Sequence, residues 1–230
     1  MTLDHLMDTN VVTIVGKVIG EKKFSHEIYG EGFYVYNIEI PRLSDAVDQL
    51  PLTISERLLV GLDLKSGDMV KVEGQLRSYN KFVDGGNRLV LTIFARDIVP
   101  FEGGEELKNP NEIFLEGYIC KEPVYRETPF GREITDLLVA VNRLYNKSDY
   151  IPAIAWGRNA RFSSNLAVGD QIRIWGRVQS RQYQKKFSDG NVLNKIAYEV
   201  SISKMEKASK IENGNDNYND NDNEEEHMIP

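Results

Sequence analysis

Gly67-Asp68-Met69-Val70-Lys71-Val72-Glu73-Gly74 and Gly169-Asp170-Gln171-Ile172-Arg173-Ile174-Trp175-Gly176 are two versions of one pattern: Gly-Asp, an alternating apolar run and a closing glycine, 102 positions apart. Upstream the match continues at an offset of 101. It places Gly16 on Gly117, Gly30 on Gly131, Ile38-Glu39-Ile40-Pro41-Arg42 on Val139-Ala140-Val141-Asn142-Arg143, and Leu50-Pro51-Leu52 on Ile151-Pro152-Ala153. Downstream, Asp84-Gly85 faces Asp189-Gly190. Order and spacing hold over about 90 residues, and a repeat of that length fixes domain number more firmly than chain length does. The expected organisation is a domain over 1–101, a linker of Gly, Glu, Lys, Asn and Pro over 102–111, a second domain over 112–205 and a tail over 206–230.

Each copy consists of short alternating segments bounded by turn residues, the pattern of an all-β barrel or sandwich. In the second copy the spacing predicts strands near Ile113 to Cys120, Ile134 to Arg143, Tyr150 to Trp156, Gln171 to Gln179 and Leu193 to Ile202, with a hairpin turn at Ser188-Asp189-Gly190. Gly157 to Val168 lacks alternation and ends at Gly169, as a short helix with a glycine cap would; Glu56 to Lys65 is its counterpart in the first copy. Five strands with a helix between the third and fourth is the layout of the OB fold, a small Greek-key barrel that often binds oligonucleotides. The expected fold is all-β: two tandem OB-fold barrels, each of five strands plus one short helix, with a disordered acidic C-terminal tail. The pattern alone also admits a two-domain β-sandwich with no ligand.

Composition narrows the function. The apolar runs, such as Ile151 to Trp156 and Leu137 to Val141, fall far short of the roughly 20 residues of a membrane span. Met1 to Asn10 carries Asp4 and Asp8 rather than a basic stretch followed by an apolar one, so no secretory signal and no membrane partner are expected, and the address expected is cytoplasmic. Cys120 is the single cysteine and His5, His26 and His227 are scattered, which speaks against a disulfide, a zinc site or another metal. No cofactor motif is present. The net charge of −7 divides unevenly: 208–230 carries −6, 10–100 carries −1, and 112–207 carries +4. Only the second copy is basic.

Single strands are held by cations that follow the phosphates and aromatic faces on which bases stack. The second copy has both. Tyr145, Tyr150, Trp156 and Tyr183 lie at or beside strand ends, among Arg143, Lys147, Arg158, Arg161, Arg177, Arg181, Lys185 and Lys186. Trp156 is ambiguous, because its strand alternates Ile151, Ala153 and Ala155 against Tyr150, Pro152, Ile154 and Trp156, and either set could face the core. Tyr183 stands in polar sequence and is expected at the surface. Trp175, among Ile172, Ile174 and Val178, is expected to pack.

Residues 111–204 resemble the OB domain of the bacterial single-stranded DNA-binding proteins. The likeness rests on Gly117 after an apolar strand, Glu122-Pro123, Thr128-Pro129-Phe130-Gly131, Ala140-Val141-Asn142-Arg143, Ala155-Trp156-Gly157-Arg158, and Gly169-Asp170 ahead of Gly176-Arg177-Val178. The resemblance implies base stacking at Tyr145, Tyr150, Trp156 and Tyr183, and so favours Trp156 as a DNA contact. The first copy departs from the family at the same places, with Ser44, Gln49 and Ser55 where Tyr145, Tyr150 and Trp156 stand in the second. Tyr34, Tyr36, Tyr79 and Phe82 are its remaining candidates, and assembly or partner contact is its expected role. The resemblance also implies four OB domains per binding unit, hence a homodimer of this chain, and an acidic tail that recruits replication and repair proteins. Here the tip reads Glu224-Glu225-Glu226-His227-Met228-Ile229-Pro230, without the family's closing Phe. Glu224, Glu225, Glu226, Met228, Ile229 and Pro230 are the expected partner contacts, against the alternative of a solubilising tail that competes for the groove.

The expected function is sequence-independent binding and protection of single-stranded DNA in replication, recombination and repair, in the cytoplasm on the nucleoid. An accessory OB adaptor of primosome or recombination complexes, binding strands weakly and bridging proteins, is the alternative. Catalysis is not expected, since Asp136, Glu133 and Glu199 stand apart among apolar or basic neighbours without a metal or a paired base.

Overall fold

The computed structural model describes residues 8–42, 44–83, 86–103, 109–186 and 192–208. Five strands form the first barrel: β1 (Asn10–Ile28), β2 (Glu31–Pro41), β3 (Val47–Ser55), β4 (Met69–Val83) and β5 (Gly86–Pro100). β1 pairs with β2, β2 with β3, β3 in parallel with β5, β5 with β4, and β4 again with β1, which closes the ring. The second barrel repeats this circuit with β6 (Asn111–Ile119), β7 (Val124–Glu127), β8 (Glu133–Asn142), β9 (Ser148–Trp156), β10 (Gln171–Lys186) and β11 (Val192–Lys207). Here β6 pairs with β8, β8 with β9, β9 in parallel with β11, β11 with β10, and β10 with β6. Both are OB barrels.

The helices depart from expectation. In the second barrel α1 spans Arg158–Ser163 rather than reaching Val168. In the first barrel there is no α-helix at 56–65, only a 3-10 turn over Glu56–Leu59, which the Ser55 side chain caps by accepting from the Arg57 N–H at 3.1 Å. Val60, extended at φ −62° and ψ 117°, ends that single turn, and Gly61 follows at φ +78°. The first strand of the second barrel is also split into β6 and β7, with Pro123, which has no N–H to give a ladder, just before β7.

The repeated glycines explain themselves. A Cβ on Gly16 would lie 2.6 Å from the carbonyl oxygen of Glu39, and one on Gly117 would lie 2.5 Å from that of Ala140. At these corners the first strand of each barrel crosses so close to the second that only glycine fits. Alternation fills each interior: Val12, Ile14, Ile38, Leu52 and Val72 in the first barrel, and Leu115, Val139, Ile151, Ile172 and Ile174 in the second, all fully buried.

The barrels share a seam. β1 and β6 run antiparallel from Asn10↔Leu115 to Ile14↔Asn111, extended by Glu116 N–H to Thr9 O and Val15 N–H to Pro110 O, each at 2.8 Å. This ladder joins all eleven strands into one sheet. Two buried carboxylates tie its flanks with matching geometry. Asp149, from the second barrel, accepts from Ser78 N–H of the first at 2.7 Å, while Tyr150 N–H donates to Ser78 Oγ at 2.7 Å. Asp48, from the first barrel, accepts from Ser180 N–H of the second at 2.7 Å, while Gln49 N–H donates to Ser180 Oγ at 3.1 Å. Asn10 and Asn111 each hold the fourth strand of their own barrel through paired side-chain bonds, to Leu76 and to Val178. The molecule therefore has a pseudo-two-fold axis through the β1–β6 ladder.

Candidate nucleic-acid interface

β9 settles the orientation that alternation left open. Ile151, Ala153 and Ala155 are buried in the barrel, and Tyr150 and Trp156 stand on its outer side, with 47% and 38% exposure. Six steps of extended strand separate them, a span of about 20 Å. Tyr145 lies beyond the end of β8, in a loop closed by Arg143 N–H to Lys147 O at 2.8 Å. Tyr145 and Asn146 both adopt left-handed backbone, φ 60° and 54°, and the Tyr145 ring is 91% exposed. A tyrosine held in that region costs of order 1–3 kcal/mol, and such outliers gather at ligand-binding sites. Tyr183 rises on the β10–β11 hairpin, 37% exposed, with the Arg181 guanidinium 6.0 Å from its ring centre. Its turn, Ser188-Asp189-Gly190, and the side chains of Lys185 and Lys186 lie outside the described residues.

The cations differ in how they are committed. Arg143 sits 3.5 Å from the buried Asp149, and Arg181 sits 3.4 Å from Glu199. Arg177 donates to Gln179 at 3.2 Å. Arg158 is exposed and has no ion-pair partner among the described residues. The carboxylates considered for catalysis are held in the same way: Glu133 by Tyr125 and Arg161, Asp136 by Arg126, Glu199 by Gln179 and Arg181. Burial pushes the Cys120 thiol up from its ordinary value, which disfavours a thiolate nucleophile. Among the described residues no group of three or more His, Cys, Asp or Glu could hold a metal, and no helix is long and apolar enough to cross a membrane.

Two concavities flank the seam. One, of about 310 Å³, brings Tyr145, Arg143 and Lys147 of the second barrel against Gln75 and Arg77 of the first. The other, of about 820 Å³, brings Trp156, Trp175 and Arg177 of the second against Arg42 and Ser44 of the first. Trp175 is not in the core. It packs on the outer face of the sheet, 5.2 Å from Phe114 between ring centres, with Lys204 Nζ 4.2 Å from its own. The alternation of β10 puts it there, out of phase with the buried Ile172, Ile174 and Val178. Arg42, Gln75 and Arg77 carry no sign in the sequence of belonging to either site, because their place beside the second barrel follows from the seam alone.

In the first barrel, Tyr36 belongs to the core at 3% exposure, Tyr34 is half-buried, and Tyr79 and Phe82 stand exposed on the β4–β5 hairpin. The serine at 55 is accompanied by aromatics from other strands. Phe33, paired with Ser55 across β2 and β3, stacks on His26 at 4.9 Å and lies 5.7 Å from Phe94. Phe24 meets Tyr34 edge-on at 5.8 Å, with Lys22 Nζ 5.1 Å from the tyrosine ring.

Residues 110–208 match the family model described as "Single-strand binding protein family". A single-stranded DNA-binding protein of Deinococcus radiodurans is 30% identical over 160 residues, covering 60% of this chain and 52% of that one. The chain spans about half the length of the first curated relatives it matches. The crystal structure of the wild-type single-stranded DNA-binding protein from Thermus aquaticus superposes with a TM-score of 0.71 at 20% identity, covering 87% of this chain and 93% of that one, which is a likeness of fold. A dimeric N-terminal domain of a PriB protein from Thermoanaerobacter tencongensis covers 42% of this chain at 50% identity, with a TM-score of 0.37, too loose to bear on the architecture. Residues 110–208, set behind a divergent barrel of the same fold, are thus what this chain has in common with the single-strand binding protein family.

Proposed function

We propose that this chain binds single-stranded DNA without sequence preference and protects it during replication, recombination and repair. The observation that carries the reading is the outward placement of Tyr145, Tyr150, Trp156 and Tyr183 on one barrel, beside Arg143, Arg158, Arg177 and Arg181. Stacked bases contribute about 1 to 3 kcal/mol each, so these four side chains would dominate affinity, with the cations adding a salt-dependent share. Lys185 and Lys186, on β10, extend that basic run. Binding is the whole activity, with no chemical step.

Four barrels per binding unit would follow from two copies of the chain. The acidic tail, with Glu224, Glu225, Glu226, Met228, Ile229 and Pro230 at its tip, would recruit replication and repair proteins to the cytoplasmic nucleoid; it lies outside the described residues. The adaptor reading is favoured by one feature, the serines at positions 44 and 55, which leave the first barrel without the family's stacking residues there.

Titrating poly-dT into the full chain while following tryptophan fluorescence, with duplex DNA as control, tests the proposal. Saturable quenching by the single strand, weakened in Trp156→Ala, is expected. Absence of quenching and of any mobility shift with every strand would overturn it. Weak binding that appears only with a protein partner would transfer the chain to the adaptor class.

A further inference from the structure

The two flanks of the seam are built alike and charged differently. On the flank around Asp149, Arg77 and Arg143 both pair with that one carboxylate, and a third cation, Lys147, lines the adjoining concavity with them. Arg77 Nη1 lies 3.1 Å from Asp149 Oδ2, and Arg143 Nη1 lies 3.5 Å from Oδ1, so two guanidinium groups share a single anion that also accepts from the Ser78 N–H. Lys147 is exposed and has no ion-pair partner among the described residues. On the opposite flank the matching positions read Arg42, Ala46 and Gln179, with Arg177 in place of Gln75 and Asp45 in place of Asn146. There Arg42 has the carboxylate of Asp48 to itself at 2.6 Å, and Arg177 donates to the neutral Gln179.

The electrostatic consequence differs accordingly. Its bond to Asp48 holds the Arg42 guanidinium above its ordinary pKa. Burial lowers that of Arg77; Asp149 opposes the shift, and Arg143 and Arg96 add to it. Arg77 remains charged, since an arginine is not neutralised in a protein, and it shares its one paired carboxylate, Asp149, with Arg143. Tyr145 stands at the rim of the same concavity, held outward by its left-handed backbone. Its counterpart on the opposite flank is Ser44. Excess positive charge beside an exposed aromatic ring is the pairing that holds a nucleotide, the ring taking the base and the cations the phosphate.

We propose that the concavity around Tyr145 is a nucleotide subsite shared between the barrels, in which Tyr145 stacks a base of the bound single strand while Arg77, from the divergent first barrel, joins Lys147 on the adjacent phosphate. The subsite deepens the single-strand reading and rests on it. It gives the first barrel a direct part in binding, and it makes the groove of the second barrel incomplete without the first.

The experiment uses the full chain and a fluorescent oligo-dT, with affinity read by anisotropy over a series of salt concentrations. Each phosphate neutralised contributes a log–log slope of about −0.7 with single strands. Arg77→Gln is expected to weaken binding and to make the slope shallower by about 0.7, one phosphate contact, while Arg77→Lys keeps the wild-type slope. A purely structural Arg77, acting through Asp149, would lower affinity without changing the slope, and that result would overturn the subsite, as would wild-type affinity in Arg77→Gln. Photocrosslinking of 5-iodouracil-substituted oligo-dT to the wild type covers the case in which Arg77→Gln does not fold. Adducts on the peptide holding Tyr145 and on the first-barrel peptide around Arg77 support the subsite; adducts confined to the second barrel reject it. Failure of the function itself would look different, because the wild type would then bind no oligonucleotide and give no adducts at all.

Discussion

The two barrels share a circuit of strands, a corner glycine and a carboxylate that ties each to its neighbour, yet their outer surfaces have diverged. Trp156 in the second barrel is paired position for position with Ser55 in the first, Tyr150 with Gln49, and Tyr145 with Ser44. The inward residues do not diverge in the same way: Ile14, Leu52 and Val72 face Leu115, Ala153 and Ile174, all apolar and buried. What the seam and the core require has been kept in both copies, and what the solvent face displays has not. Shape and binding are therefore separable properties of this fold, and each can be tested on one copy with the other as its control.

The largest effect is expected at the seam, where the copies should behave alike. Asp149→Ala leaves Arg77 and Arg143 without their buried partner, and breaking such a pair costs about 3–5 kcal/mol. Asp48→Ala should cost a similar amount through Arg42, and urea denaturation of both variants tests the equivalence; a neutral Asp48→Ala would break it. Next come the corners. Gly117→Ala and Gly16→Ala each push a methyl group against a carbonyl oxygen, with an expected loss of about 1–3 kcal/mol apiece in thermal unfolding. A difference between them would show that one barrel yields more easily.

On the outer faces the copies should part. Trp156→Ala is expected to weaken poly-dT binding by about 1–3 kcal/mol, roughly 5- to 150-fold, whereas Ser55→Ala leaves it unchanged, as read by anisotropy. Equal losses would mean that the first barrel binds through its own residues, for which Phe24, His26 and Phe94 are the candidates. The smallest effect belongs to Ser44→Tyr, which restores a ring to the opposite flank without the cation that Lys147 supplies. A gain below about 1 kcal/mol is expected, because Arg42 there is held by Asp48 and Arg177 donates to Gln179.

The repeat was legible because glycine at a barrel corner and alternation along a strand are local demands, written in neighbouring residues. Gly16 and Gly117 could be matched without knowledge of what they touch. The outward direction of Trp156 was not legible, because Ile154 beside it is apolar and almost fully buried on the same outer side, so hydrophobicity could not tell the faces of β9 apart. The first-barrel helix was over-read from Glu56 to Lys65, where the turn ends at an extended Val60 followed by a left-handed Gly61. Trp175 was expected to pack beside Ile172, Ile174 and Val178, and it packs instead on Phe114 on the outer face, because its position in β10 is out of phase with theirs. Arg77 and Arg42 were beyond reach for another reason. Each owes its surroundings to a residue about 70 or 140 positions away, Asp149 for one and Ser180 for the other, and no periodicity reports a partner at that distance.

The β1–β6 ladder has a consequence for how this molecule can change. A symmetric pair of separate chains records every substitution twice, once on each side of its axis, so an alteration that helps one side and harms the other has no net path. Here the halves are spelled out separately in one chain, and the ladder keeps them in register. Inheritance can rewrite Ser44 without touching Tyr145, or exchange Lys147 without touching Ala46. The axis survives in the backbone as a record of duplication, while the side chains are free to assign the halves different tasks.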